Sequence, residues 1–362
     1  MRILFVRQGE DNSVFSYHHY LIQLLIDAAS VEVLYYDKHS APIQKDHFLL
    51  IADIPKPTIW GYQRWYDGQL SRLIKDWRIE KVIYLNGYCP SLQGVRQILI
   101  MDNLNLWNKD PKKKNKWEQF SSSKILQSLN AADKIVCYSE KAKDKIVQSY
   151  PQVSEKAIII PSASKENVTP LDWTQQSQIK ERLAEGSEYF LGLIEQDTIE
   201  AIIHLLKAFS QFKKWQKSSM KLLILCNADL KENEELNDKI SNYKYKEDIQ
   251  LLYEINGEKL MEFLSAAYGF IYFPLEESAI LPVLIAMQSE TPVITNVALF
   301  GEKASEESAF CLKDDSIDSL GQAMIGLYKA ESLRTVLIKQ GREQITHFSY
   351  KDALEKIKLV LN

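Results

Sequence analysis

Short apolar runs rich in β-branched and aromatic residues alternate with amphipathic stretches along the whole chain, and the alternation begins afresh halfway. Strands are expected over residues 2–7, 31–36, 81–86, 97–103, 134–139 and 156–161. Residues 16–29 show a helical period instead, with Tyr20, Leu21, Leu24, Leu25 and Ala28 recurring at three- and four-residue steps. After the polar stretch 162–178 a second series of strands is expected over 189–194, 221–226, 249–254, 269–275 and 292–296. Helices are expected over 198–213, 257–267, 279–288 and 317–329, and two more near 332–347 and 350–361 close the chain. Strands that alternate with helices in this way form parallel sheets covered on both faces. The chain therefore reads as an α/β protein with two such sheets.

The length of 362 residues fits two domains better than one core. The expected division is 1–165, 166–347 and a terminal helix, 348–362. Hydrophobic content of 46% with 25% charged residues is that of a globular protein, and 11 Pro and 13 Gly leave little room for disordered linkers. Charge is unevenly divided. Residues 1–165 carry 23 Lys and Arg against 17 Asp and Glu, and the remainder 21 against 31, so an acidic second half follows a mildly basic first. Neither half is basic enough for nucleic acid to be the main partner.

No apolar run approaches the roughly 20 residues that span a bilayer. The opening MRILFVRQGED turns polar before a signal-peptide core could form, so a cytoplasmic location is expected, extending to the inner face of the membrane. Cys89, Cys137, Cys226 and Cys311 lack CxxC spacing and read as buried structural thiols. The adjacent His18 and His19 point in different directions on a helix, and the other histidines, His39, His47, His204 and His347, lack ligand spacing. No metal and no cofactor is implied. Nucleophile elbow, Walker loop and dinucleotide fingerprint are all missing from the sequence.

Residues 262–294, EFLSAAYGFIYFPLEESAILPVLIAMQSETPVI, resemble the donor-binding signature of the retaining family 4 (group 1) glycosyltransferases. Residues 131–163 look like that family's crossing between domains, and the HFSY at His347–Tyr350 with the helix after it looks like its C-terminal tail. The resemblance implies the GT-B fold, two Rossmann-like domains facing across a cleft, with the last helix returning to the first domain. It also implies transfer of a sugar from a nucleotide-sugar donor to an acceptor hydroxyl, on a glycan or another molecule, with retention.

In the family two glutamates eight residues apart serve the sugar and the ribose, with a glycine turn between them. Carboxylates make strong hydrogen bonds to hydroxyls, and glycine lets backbone N–H groups approach phosphate. The first glutamate matches Glu277, preceded by Glu276. The second falls on Ile285, and the turn reads Ser278-Ala279-Ile280 without glycine. A ribose hydroxyl buried against isoleucine would lose about 1 to 3 kcal/mol. Registration on Leu205-Leu206-Lys207-Ala208-Phe209 places Glu195 and Glu200, with Asp197 between them, where the family carries the basic pair that neutralises the diphosphate. No Lys or Arg occurs anywhere in 189–206.

In the first half the family's glycine-rich loop corresponds to Arg7-Gln8-Gly9, with one glycine. Its strand-end histidine has no counterpart, and Asp102 is the nearest candidate, either for an acceptor hydroxyl or as a helix cap. Glu277 is expected near the transferred sugar. A second reading keeps the fold without catalysis, as a binding or assembly subunit partnering an active glycosyltransferase. Trp60, Tyr62, Trp65 and Tyr66, with Arg64 among them, form either a sugar-stacking platform or a hydrophobic lid. Lys112, Lys113 and Lys114 form either a peripheral contact with anionic lipid or a solvated loop.

Overall fold

A computed structural model describes residues 2–7, 17–28, 32–36, 48–50, 65–85, 89–101, 122–165, 170–194, 198–226, 230–253, 257–273, 280–296 and 307–362. The chain divides into two compact units, Met1–Ser162 with Tyr350–Asn362, and Ala163–Ser349.

The first unit contains strands β1 (Arg2–Arg7), β2 (Glu32–Tyr36), β3 (Phe48–Leu50), β4 (Lys81–Leu85), β5 (Arg96–Met101), β6 (Lys134–Cys137) and β7 (Ala157–Ile159). They form one sheet in the order β3-β2-β1-β4-β5-β6-β7, every pair parallel. Between them run helices α1 (Tyr17–Ala28), α2 (Leu70–Asp76), α3 (Ser122–Ala131) and α4 (Glu140–Ser149). Beyond their first residues, β4, β5 and β6 are buried throughout, as a parallel sheet covered on both faces requires. Gln97, a polar residue in that core, is satisfied: its Oε1 accepts from the Tyr84 hydroxyl at 3.0 Å and its Nε2 donates to the Ala131 carbonyl at 3.2 Å. Ser139 caps α4, its Oγ accepting from the Ala142 N–H at 3.1 Å. The apolar stripe of α1 is buried, and its Tyr17 and Tyr20 hydroxyls donate to the Ile160 and Pro161 carbonyls.

The second unit contains β8 (Tyr189–Leu193), β9 (Lys221–Leu225), β10 (Ile249–Leu252), β11 (Gly269–Tyr272), β12 (Val293–Thr295) and β13 (Phe310–Cys311), again all parallel, in the order β10-β9-β8-β11-β12-β13. Its helices are α5 (Trp173–Ala184), α6 (Ile199–Trp215), α7 (Glu234–Ser241), α8 (Gly257–Ser265), α9 (Leu281–Gln288), α10 (Ile317–Lys329) and α11 (Glu331–Ile345). Phe209 and Phe212 of α6, Met324 and Leu327 of α10, and Phe190, Leu222 and Ile224 of the sheet share one core. Phe190 meets Phe212 edge-on, with ring centroids 5.4 Å apart. Lys213 is only 5% exposed; its ammonium pairs with Asp248 Oδ2 at 2.8 Å and donates to the Ser218 and Met220 carbonyls, so the buried charge is compensated. The terminal helix α12 (Tyr350–Leu361) belongs to the first unit, where the Tyr350 hydroxyl donates to Asp27 Oδ2 at 2.6 Å and its ring meets Tyr20.

β3 and β13, three and two residues long, are too short to leave a readable period in the sequence. Several expected strands, such as that at 156–161, end one or two residues earlier. Among the described residues no helix is long and apolar enough to cross a membrane.

Two local features of the second unit lead to measurable consequences. A Cβ on Gly269 would lie 2.7 Å from Leu327 Cδ2 and 3.3 Å from two atoms of the Phe190 ring. Gly269→Val is therefore expected to destabilise by about 1–3 kcal/mol, through overpacking beneath α10, and to lower the urea midpoint at unchanged m. A wild-type midpoint would mean that Leu327 moves aside freely.

The start of α10 is held by Ser316, whose Oγ accepts from the Ser319 N–H, and by Asp314, which accepts from the Ser316 N–H at 3.0 Å and the Ser319 hydroxyl at 2.6 Å. Hydrogen bonds from Ser316 and then Ser319 hold the Asp314 carboxyl down to about 2. With the folded value depressed, this contribution to stability is complete above the ordinary carboxylate range and is lost as pH falls from about 4 toward 2. An NMR titration should place the Asp314 midpoint near 2, and Ser319→Ala should raise it; an ordinary midpoint in the wild type would mean that the cap does not form.

Candidate functional site

In the sheet of the second unit the chain runs from β8 outward to β9 and β10, then returns to the other side of β8 with β11. Connections leaving β8 and β11 at their carboxyl ends thus diverge, and a crevice opens where the order reverses. A cavity of about 300 Å3 lies there. Leu193, Ile194, Ile271 and Phe273 supply its apolar base from the ends of β8 and β11. Thr198, Glu200, Ala201 and His204 form one wall from the start of α6, and Asn296 and Asp315 close another.

Each wall has a distinct chemistry. Thr198 is the N-cap of α6 in extended conformation, and its side chain makes no capping hydrogen bond to the first-turn N–H groups of this 17-residue helix, which point outward as binding of an anion there would require. Glu200 and His204 stand four residues apart and so share a face of α6. Across from them Asn296 Nδ2 donates to Asp315 Oδ1 at 2.6 Å. The Asn296 Oδ1 atom is buried and has no hydrogen-bond partner among the described residues, and the same holds for Thr295 Oγ1, on a residue 0% exposed. Each such group left unsatisfied costs about 1–3 kcal/mol, and of the two only Asn296 lines the cavity, where a hydroxyl- or amide-bearing ligand could recover it. Glu200 and Asp315 are acidic, and among the described residues no Lys or Arg lines the cavity.

The residues singled out in the sequence are distributed as follows. Glu200 lines the cavity. Ile280 is buried just before α9, and Ile285 is 4% exposed within it, outside the cavity lining; residues 282–287 are all buried, as an α-helix apolar on every side must be. Arg7 ends β1, at the strand where the order of the first sheet reverses. Glu195, Asp197, Glu276, Glu277, Ser278, Ala279, Gln8, Gly9, Asp102, Lys112, Lys113 and Lys114 lie outside the described residues, as do Trp60, Tyr62 and Arg64. Trp65 is 3% exposed, at the start of a π-helical turn before α2. His18 and His19 are buried in α1.

Sequence reasoning missed His204, Asn296, Asp315 and Thr198. The four-residue step from Glu200 to His204 was the one available signal. Among the described residues no group of three potential ligands could hold a metal. Burial pushes the Cys137 and Cys226 thiols up to about 12 and raises that of Cys89 as well; only Cys311 is half-buried, and none lines the cavity.

Residues 175–344, from α5 to α11 and including every residue of the cavity, match the family of glycosyl transferases group 1. The chain is 25% identical to the O-antigen chain mannosyltransferase RfbU of Salmonella typhimurium over 193 residues, 53% of this chain and 50% of that protein, so the match spans about half the relative's length. Among solved structures, WaaG, a glycosyltransferase involved in lipopolysaccharide biosynthesis, superposes with a TM-score of 0.72 at 12% identity, over 99% of this chain and 98% of that one. HepE from Anabaena, in complex with UDP and glucose, gives 0.71 at 10% identity over the same shares. At such identities the likeness is one of fold, and the fold is GT-B, with two parallel α/β sheets. The second unit accordingly matches the glycosyl transferases group 1 model over residues 175–344.

Proposed function

We propose that the chain transfers a sugar from a nucleotide-sugar donor held by the second unit to an acceptor hydroxyl held by the first, with retention at the anomeric carbon. The observation that carries this reading is the cavity at the carboxyl edge of the second sheet, which lies wholly inside the stretch that matches group 1. Its size and mixed lining suit a nucleoside or sugar. Glu200 and Asp315 can accept hydrogen bonds from hydroxyls, Asn296 Oδ1 lacks a partner among the described residues, and the N-terminus of α6 offers N–H groups to phosphate. Glu277 is the proposed catalytic residue, stabilising charge that develops on the transferred sugar, and Asp102 the proposed acceptor contact. Cytoplasmic nucleotide sugars would supply the donor.

A second reading is favoured by one specific observation. Among the described residues both charged groups lining the cavity are carboxylates, and they oppose a diphosphate by several kcal/mol if no cation joins them. In that reading the chain is a non-catalytic subunit that binds a hydroxyl-rich ligand or supports a partner glycosyltransferase.

Calorimetric titration with UDP, GDP and ADP and their sugar conjugates separates the two. A mannose conjugate and UDP-glucose come first, since the Salmonella relative is named a mannosyltransferase and HepE has been crystallised with UDP-glucose. Micromolar binding of one conjugate is expected, and Ala201→Trp, which fills the cavity, should abolish it. Absence of binding up to millimolar concentration would discard the donor site.

With the donor identified, Glu277→Gln should lower turnover by roughly a hundredfold or more while leaving donor affinity near wild type. An unchanged turnover number would remove Glu277 from the mechanism.

A further inference from the structure

A neighbouring flank of α6 carries a second, chemically opposite depression. At about 100° per residue, Ile203, Leu206, Lys207, Ser210 and Lys214 form a stripe roughly 110° around the helix from that of Glu200, Ala201 and His204. Lys239 of α7 and the segment after it, Asn242 to Tyr245, face them across a groove of about 610 Å3.

Among the described residues four lysines and no carboxylate line this groove, in a unit that is otherwise acidic. Residues 163–349 hold 19 Lys and Arg against 29 Asp and Glu, whereas residues 207–246 hold 9 Lys against 5 Asp and Glu, a net of +4 inside a net of −10. Three carboxylates in or next to this stretch have partners: Glu235 pairs with Lys239 at 2.6 Å, Asp238 accepts from Asn242 Nδ2 at 3.2 Å, and Asp248 neutralises the buried Lys213. Lys207, Lys214 and Lys244 form no ion pair among the described residues.

The floor beneath these charges is fixed. The Tyr243 hydroxyl donates to the Leu206 carbonyl at 2.8 Å and lies 2.9 Å from Ser210 Oγ, and Lys244 Nζ sits 5.1 Å from the centre of the Tyr245 ring. Ammonium groups gathered on a rigid concave surface repel one another until a multivalent anion joins them. Lysine acts on phosphate as a point charge that needs no planar partner, unlike the paired geometry arginine uses for carboxylates.

We propose that this groove is a binding site for a phosphate-bearing anion, separate from the cavity at the carboxyl edge of the sheet. The phosphate belongs either to a free anion or to a lipid headgroup, with Ile203, Leu206 and the tyrosine rings meeting the part attached to it.

The test uses the full chain with two probes, inorganic pyrophosphate followed by calorimetry, and vesicles of phosphatidylcholine and phosphatidylglycerol in equal parts followed by co-sedimentation. Lys207→Ala, Lys214→Ala and Lys244→Ala together remove the unpaired charges. Lys217→Ala, Lys231→Ala and Lys246→Ala together remove the same charge from exposed positions outside the groove.

Loss of about a hundredfold in affinity is expected for the groove variant and little change for the control, with unaltered circular dichroism in both. Groove-dependent pyrophosphate binding identifies a free anion as a sufficient ligand; groove-dependent binding to vesicles alone identifies the headgroup. The proposal is overturned if neither probe binds, if the folded groove variant binds as the wild type does, or if the control loses as much as the groove variant.

Discussion

Parallel pairing of every strand is the constraint from which the rest of the second unit follows. Parallel strands cannot be joined by a tight hairpin, so the connections from β8 through to β12 cross the sheet with helices, and both faces are covered. The order turns around β8, which leaves the carboxyl edge between β8 and β11 free of crossing backbone. The cavity is thus a product of topology before any side chain is chosen. Close approach of the helices then sets its depth. Gly192 in β8 is one such point, since a Cβ there would lie 2.7 Å from Cδ2 of Leu205, which itself lines the cavity.

Within the cavity two electrostatic effects compete. The N-terminus of α6 presents about half a positive charge, worth about 0.3–1 kcal/mol to an anion near the surface and up to ~2 when partly buried. Glu200 and Asp315 bring two full negative charges to the same space. For a diphosphate with nothing else beside it the carboxylates win. For a ribose or hexose the sign reverses, because a hydroxyl donates to a carboxylate in a charge-assisted bond. The described lining therefore matches the neutral, hydroxyl-rich portions of a donor better than its phosphates, and any diphosphate must meet its countercharge outside that lining.

Much of this architecture was readable from residues alone. The runs at 2–7, 81–86, 189–194 and 221–226 are continuous and apolar because strands buried on both faces need no polar alternation, and α1 and α6 show their stripes at three- and four-residue steps. β3 and β13 were silent because three and two residues carry no period. Glu200 was found by registration on a family pattern, whereas His204, Asn296 and Asp315 come from three separate elements that only the folded sheet brings together. Membership of such a site is decided by strand order, a long-range property that local sequence does not encode. Ile285, expected by registration at the ribose position, is buried in a wholly apolar helix, which agrees with a packing role.

Helix α6 joins these threads. Its 17 residues carry three stripes at about 100° per residue. Ile202, Leu205, Phe209 and Phe212 anchor it to the core, Glu200, Ala201 and His204 face the cavity, and Ile203, Lys207, Ser210 and Lys214 face the basic groove. The anchoring stripe is held by edge-on contacts of Phe212 with Phe190 and with Tyr328, each at 5.4 Å between ring centroids. A helix packed so tightly along its middle stripe cannot roll toward one flank without opening the core on the other, which at the density of a protein interior costs several kcal/mol. The acidic and basic flanks are for that reason held as fixed surfaces, and a ligand on either one meets its partners without first having to reorganise the helix.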